Sequence, residues 1–117
     1  VSLSEARDEQ FIALDTGYSS RKYFDELCRM AGFTPKIKME CDYMLRARMV
    51  SQRLGVAVST ARVVKNETDT SKVRVIRIAA PVLPRIQSLI SHKKRAKNET
   101  AKLFHDYAMH YVKTHTV

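Results

Sequence analysis

Apolar and polar positions along this chain change period several times, and each change marks an expected element. Residues 11–14, Phe-Ile-Ala-Leu, form a short unbroken apolar run closed by Asp15, Thr16 and Gly17, the pattern of a buried strand that ends in a turn. A helix is predicted next. Tyr23, Phe24, Leu27, Met30 and Ala31 recur at helical spacing, Ser19 or Ser20 can cap the start, and Gly32 offers a left-handed C-cap with Phe33 folding back. After Thr34 and Pro35 the period drops to two: Ile37 and Met39 alternate with Lys36, Lys38 and Glu40, as in a strand with one wetter face. Asp42 is the expected N-cap of a second amphipathic helix carrying Leu45, Met49, Val50 and Leu54, and Gly55 leads into a third short strand, Val56-Ala57-Val58. The order β-α-β-α-β implies crossover connections and a parallel sheet covered on both faces.

Beyond this point the pattern is less regular. Residues 60–65 read as a short helical turn, 66–71 as a polar surface loop and 73–79 as a long strand. Pro81 and Pro84 hold a bend before residues 86–90, and a basic run at 92–97 follows. Asn98 then caps a last helix whose apolar stripe is Ala101, Phe104, Ala108, Tyr111 and Val112.

At 117 residues the chain has room for one domain of ordinary size, and 44% hydrophobic residues with only three Gly and three Pro exclude disordered and low-complexity classes. Its two cysteines, Cys28 and Cys41, have no second ligand beside them at metal spacing, which argues against a zinc module or a disulfide scaffold. No apolar run approaches the roughly 20 residues of a membrane span, and no signal-peptide pattern occurs, so a cytoplasmic protein without membrane association is expected. A formal charge of +9 raises nucleic acid as a partner. The basic residues are nevertheless spread through every segment, and the run at 92–97 has no interleaved aromatic residue for base stacking.

Candidate chemistry is sparse. The turn Thr16-Gly17-Tyr18-Ser19-Ser20 has one glycine where a phosphate-wrapping loop needs several. Its position still matters, because ligands of open α/β sheets collect at the carboxyl ends of strands, where helix N-termini present N–H donors. The histidines at 105, 110 and 115 are five residues apart and do not share a helix face, and Cys28 has no base beside it in sequence. Asn66-Glu67-Thr68 and Asn98-Glu99-Thr100 match the glycosylation sequon but read as a loop and a helix cap. No cofactor and no enzyme activity are expected.

Read in order, these pieces resemble the effector-binding domain of LysR-type transcriptional regulators, specifically its C-terminal part. The resemblance rests on Phe11 to Leu14, Gly17, Arg21 near the helix start, Ala31-Gly32-Phe33-Thr34-Pro35, Ile37-Lys38-Met39-Glu40, Val50-Ser51-Gln52-Arg53-Leu54-Gly55-Val56-Ala57, the aliphatic stretch 73–78, Pro81 and Phe104. It covers nearly the whole chain. No single motif is specific, but their order and spacing together are. Two positions depart from the family pattern: Arg53 stands where the first Gly of Gly-Leu-Gly is usual, and Thr60 where a Pro often closes the third strand. The exit from the second helix is therefore expected to differ.

The resemblance implies a Rossmann-like open α/β sheet with flanking helices, as in one subdomain of a type 2 periplasmic-binding-protein fold. Residues 1–97 would be subdomain two, and residues 98–117 a C-terminal helix that normally packs on subdomain one. It further implies a small-molecule effector in a cleft between subdomains, with Thr16, Gly17, Ser19, Ser20, Asp42 and Tyr43 at positions that line it. Helix N-terminal donors there favour an anionic ligand. DNA would be bound only through a winged helix-turn-helix domain that these residues do not contain. The stripe around Phe104 would lack its usual cover, and a homo-oligomer is expected on that ground. The competing reading is a stand-alone basic nucleic-acid-binding module, which predicts one continuous positive face and steep salt dependence.

Overall fold

The core is laid down by β1 (Gln10–Leu14), in which Phe11, Ile12, Ala13 and Leu14 are all buried; the structure is a computed structural model that describes residues 1–94 and 98–115. A strand buried on both faces reads as a continuous apolar run rather than an alternation, which is why residues 11–14 were legible. β1 runs parallel to β2 (Lys36–Cys41), with Phe11 opposite Ile37 and Leu14 opposite Cys41. Parallel neighbours need a crossover, and α1 (Ser19–Met30) supplies it. Phe24, Leu27 and Cys28 of α1 pack on Phe11, Ala13 and Leu3, the last from a 3-10 helix at Leu3–Ala6. Phe11 lies between two rings, with centroids 5.2 Å from Phe24 and 6.3 Å from Phe33. Cys28 is wholly buried, and burial, aided by the charge of Asp25, pushes its thiol up to about 11; it is an inert core residue rather than a nucleophile.

On its other edge β1 meets Val56, whose N–H donates to Gln10 O at 2.9 Å while Ile12 N–H donates to Val56 O at 2.8 Å. Gly55 permits this approach, since a Cβ there would lie 2.7 Å from Gln10 O and 3.0 Å from the Ile12 side chain. The third strand expected at 56–58 is reduced to this one bridge. The long strand expected at 73–79 does not form either. Its end lies along the first residues of the chain, with Ala79 N–H donating to Val1 O and Leu3 N–H to Ala80 O, both at 2.8 Å. The pairing is parallel, Ser2 with Ala80, so the 3-10 helix that begins at Leu3 stops the ladder after Ala80, while ahead of it Val1 bonds Ala79 and Arg77. Among the described residues the open sheet is thus two-stranded, with single bridges added.

α2 (Tyr43–Ser51) starts as predicted, with Leu45 N–H donating to Asp42 Oδ1 at 2.8 Å. Its packing corrects the expected stripe: Leu45 is exposed, Leu54 lies beyond the helix, and the buried residue is Arg46. A two-stranded sheet offers little apolar surface for a second helix to cover. α3 (Ala61–Glu67) is capped by Thr60, which accepts from Val63 N–H at 3.4 Å, so a residue unlike the family's proline still punctuates the chain there.

α1 and α2 end in the same way. Phe33 N–H reaches back to Cys28 O and Gly32 N–H to Arg29 O, both at 3.1 Å, with Gly32 at φ +81°. Leu54 N–H donates to Met49 O at 3.1 Å and Arg53 N–H to Val50 O at 3.0 Å, with Arg53 at φ 63°. This is the paired Schellman bonding that favours glycine at the left-handed position. Arg53 occupies that position with a Cβ in place.

The chain divides into two units, Val1–Arg85 and Ile86–Val117. In the first, the Tyr23 hydroxyl donates to Leu83 O and so fastens the segment around Pro84 to α1. The second carries α4 (Glu99–His115), capped as expected by Asn98, whose Oδ1 accepts from Ala101 N–H at 2.8 Å. No described residue of α4 is buried, and Phe104 is 62% exposed. Arg95, Ala96 and Lys97 of the basic run lie outside the described residues.

Relieving the left-handed strain at position 53 is expected to stabilise the fold. Arg53→Gly should raise the unfolding free energy by about 0.5–1 kcal/mol, read from the urea midpoint at unchanged slope. An unchanged or lowered midpoint would show that Arg53 bears no such strain.

Candidate functional site

The carboxyl ends of β1 and β2 are held together by one side chain. Arg21, in the first turn of α1 and only 8% exposed, donates from Nη1 to Leu14 O at 2.8 Å and to Glu40 Oε1 at 2.9 Å, and from Nε to Asp25 Oδ1 at 3.0 Å. Burial opposes its charge, but the bonds to Asp25 and Glu40 outweigh burial and keep the guanidinium more firmly protonated than in water. Arg21 thereby sets where α1 begins relative to both strand ends.

At that beginning, Ser19 and Ser20 do not cap the helix. The N-cap position is Tyr18, which makes no side-chain capping bond, and the first turn contains no acidic residue. The two serine hydroxyls are turned to other elements instead. Ser20 Oγ shares a 2.5 Å hydrogen bond with the Tyr43 hydroxyl at the start of α2, and Ser19 Oγ accepts from Arg85 Nη2 at 3.4 Å. The Tyr18 ring meets the Tyr43 ring edge-on at 5.3 Å. The Arg46 guanidinium lies over the same Tyr43 ring, 5.2 Å from its centroid, a cation–π geometry. Arg46 is 8% exposed and also donates to Val58 O at 3.2 Å and Ser59 Oγ at 3.3 Å.

Of the residues singled out from sequence, Ser19, Ser20 and Tyr43 are brought together. Thr16 and Gly17 lie in the exposed turn before α1, outside this set of contacts, and the Asp42 carboxylate is turned to the α2 backbone. Arg46, Ser59 and Arg85 were missed. Arg46 carried one signal, because residues three apart on a helix share a face and Tyr43 had already been placed at the site. Arg85 carried none; it arrives through the Tyr23–Leu83 bond and the contact of its guanidinium with the Tyr23 ring, 5.9 Å from the centroid. Two guanidinium groups and three hydroxyls thus gather near an α1 first turn without acidic residues, while the carboxylates of Asp15 and Asp42 stand beside Cys41 at the strand ends. Among the described residues no group of His, Cys, Asp and Glu could hold a metal ion, and no helix is long and apolar enough to cross a membrane.

A parallel β-α-β unit with helix N-termini and cationic side chains gathered at the strand ends has the layout of α/β binding modules, which take ligands beyond the carboxyl ends of their strands. The family model for the LysR substrate binding domain matches residues 1–113, and the chain belongs to that family. The family is one of regulatory rather than catalytic domains, and membership implies a fold of the type 2 periplasmic-binding-protein kind. The chain is 29% identical over 110 residues to a regulator from Bacillus subtilis (strain 168) described as the uncharacterized HTH-type transcriptional regulator YybE. That match covers 93% of this chain and 37% of the relative's length. No solved structure matches the chain significantly.

Because Arg21 satisfies both strand ends, its removal should be felt at the site and in stability alike. Arg21→Met is expected to cost about 2 kcal/mol, the scale of leaving buried polar partners unsatisfied, measured by thermal or urea unfolding. A loss within 0.5 kcal/mol would mean that α1 is placed by its apolar face alone.

Proposed function

We propose that this chain is the effector-sensing region of a LysR-type transcriptional regulator and that a small anionic effector is held at the start of α1. Ser19, Ser20, Tyr43, Arg46 and Arg85 contact the anion. Thr16 and Gly17 line its approach, and Asp42 acts by setting the first turn of α2, from which Tyr43 extends. The observation that carries this reading is the convergence of two guanidinium groups and three hydroxyls near a helix start whose first turn holds no acidic residue. Oriented donors and positive charge of this kind favour carboxylates and similar anions. The regulator contacts DNA through a winged helix-turn-helix outside this chain, in keeping with the relative's description as HTH-type, and works in the cytoplasm.

Titration of the chain with acetate, followed by amide chemical shifts, is expected to produce saturable changes at residues 18–22. Arg85→Gln should weaken that response about tenfold, the loss of one charge-assisted hydrogen bond. Changes confined to other residues would leave the serines without a ligand role.

α4 is the part of the chain that docks on another surface. Phe104, Tyr111 and Val112 form an exposed apolar stripe on α4, and self-association of the chain covers it. Phe104→Glu should then convert a dimer to a monomer in sedimentation velocity. A wild-type chain that remains monomeric at high concentration would refute self-association.

A further inference from the structure

The niche between Ser20 and Arg85 has a volume of about 20 Å³, room for little more than a water molecule. A carboxylate could set only an oxygen there, and the body of the ligand must lie outside it. Arg46, Tyr43 and Ser59, which line the niche, also line an open pocket of about 350 Å³ bordered by α2, α3 and residues 73–75. That volume falls at the lower end of the roughly 300–1,000 Å³ of small-molecule pockets. Its other walls are largely aliphatic, with Ala47 contributed by α2 and Val63 and Val64 by α3. A cavity with a buried cation in one wall and hydrocarbon on the others selects for a ligand divided in the same way.

We propose that this cavity receives the apolar body of the effector while its carboxylate meets Arg46, so that the effector is a carboxylic acid bearing a ring-sized or branched hydrocarbon group. The proposal rests on the anionic reading above for the position of the charged end; the cavity itself is independent of it. Arg46 is suited to the task because its guanidinium is already desolvated and is held by Val58 O, Ser59 Oγ and the Tyr43 ring. A donor held in place loses little freedom when the ligand arrives. Arg74, which also lines the cavity, adds a second positive charge. Transfer of the hydrocarbon body out of water supplies the drive, and charge supplies the discrimination between an acid and its neutral isostere.

Phenylacetate, phenylacetamide and acetate separate these contributions. With valine methyl groups and backbone amides of the full chain observed by NMR, phenylacetate should shift the Val63 and Val64 methyls and saturate at least tenfold below phenylacetamide. Acetate should shift the amides of residues 18–22 without moving those methyls. Ala47→Phe, which fills the cavity from α2, should abolish the methyl response and remove the advantage of phenylacetate over acetate; Val64→Met, a milder filling from α3, should weaken it if the first variant does not fold. Equal response to the acid and the amide, or saturation by phenylacetate with unmoved valine methyls, would overturn the proposal. Valine shifts with phenylacetate but no amide shift with acetate would support the cavity and overturn the anion site at the start of α1.

Discussion

Desolvating a guanidinium is costly unless each face of the charge finds a partner, and in this protein the partners of Arg21 come from three elements. Leu14 O belongs to the end of β1, Glu40 to β2 and Asp25 to α1 itself. Apolar packing of Phe24, Leu27 and Cys28 brings α1 onto the sheet, but hydrophobic contact has no direction and would tolerate sliding along the strands. The hydrogen bonds of Arg21 have direction. They fix the first turn of α1 against both strand ends, and the placement of Ser19, Ser20 and Tyr18 follows from that.

The polar cluster at the strand ends depends on what this helix start lacks. A capping serine or an acidic first turn would satisfy the N-terminal donors and neutralise their field. Here the N-cap position is taken by Tyr18, and both serines are engaged by groups from elsewhere in the fold. Arg46 is added to the cluster from α2 and is oriented by Val58 O, Ser59 Oγ and the Tyr43 ring. The +9 charge of the chain thus includes buried, oriented groups with a local role, quite apart from any general attraction to nucleic acid.

Membership in the LysR substrate binding domain family gives the exposed apolar surface a context. The chain spans 37% of the length of its Bacillus subtilis relative, and α4 shows no buried residue among those described. Within the single chain Leu103, Phe104, Tyr107 and Tyr111 are exposed, so α4 gains hydrophobic burial only when another surface covers it. Its helicity rests on local terms, the Asn98 cap and residue propensity.

Local rules were enough for much of this fold. The apolar run at 11–14, the period of α1, its end at Gly32, and the caps Asp42 and Asn98 each depend on residues within a few positions of one another, so the sequence by itself determined them. The family was legible for the same reason, through the order of such signals. What required tertiary structure was every feature set by a distant partner. Residues 73–79 have the composition of a strand, yet what they and Ala80 make with the first residues of the chain is a single parallel bridge with its flanking hydrogen bonds. The α2 stripe was inferred from Leu45 and Leu54, yet the helix buries Arg46, because Val58 O, Ser59 and Tyr43 satisfy a charge where the narrow sheet offers little apolar surface. Ser19 and Ser20 read equally as caps or as ligand-facing residues, and only the fold, which turns their hydroxyls to Arg85 and Tyr43, decided against capping. Hydropathy records what a side chain prefers, but the hydrogen bond that permits a buried charge is made by groups the linear pattern does not bring together.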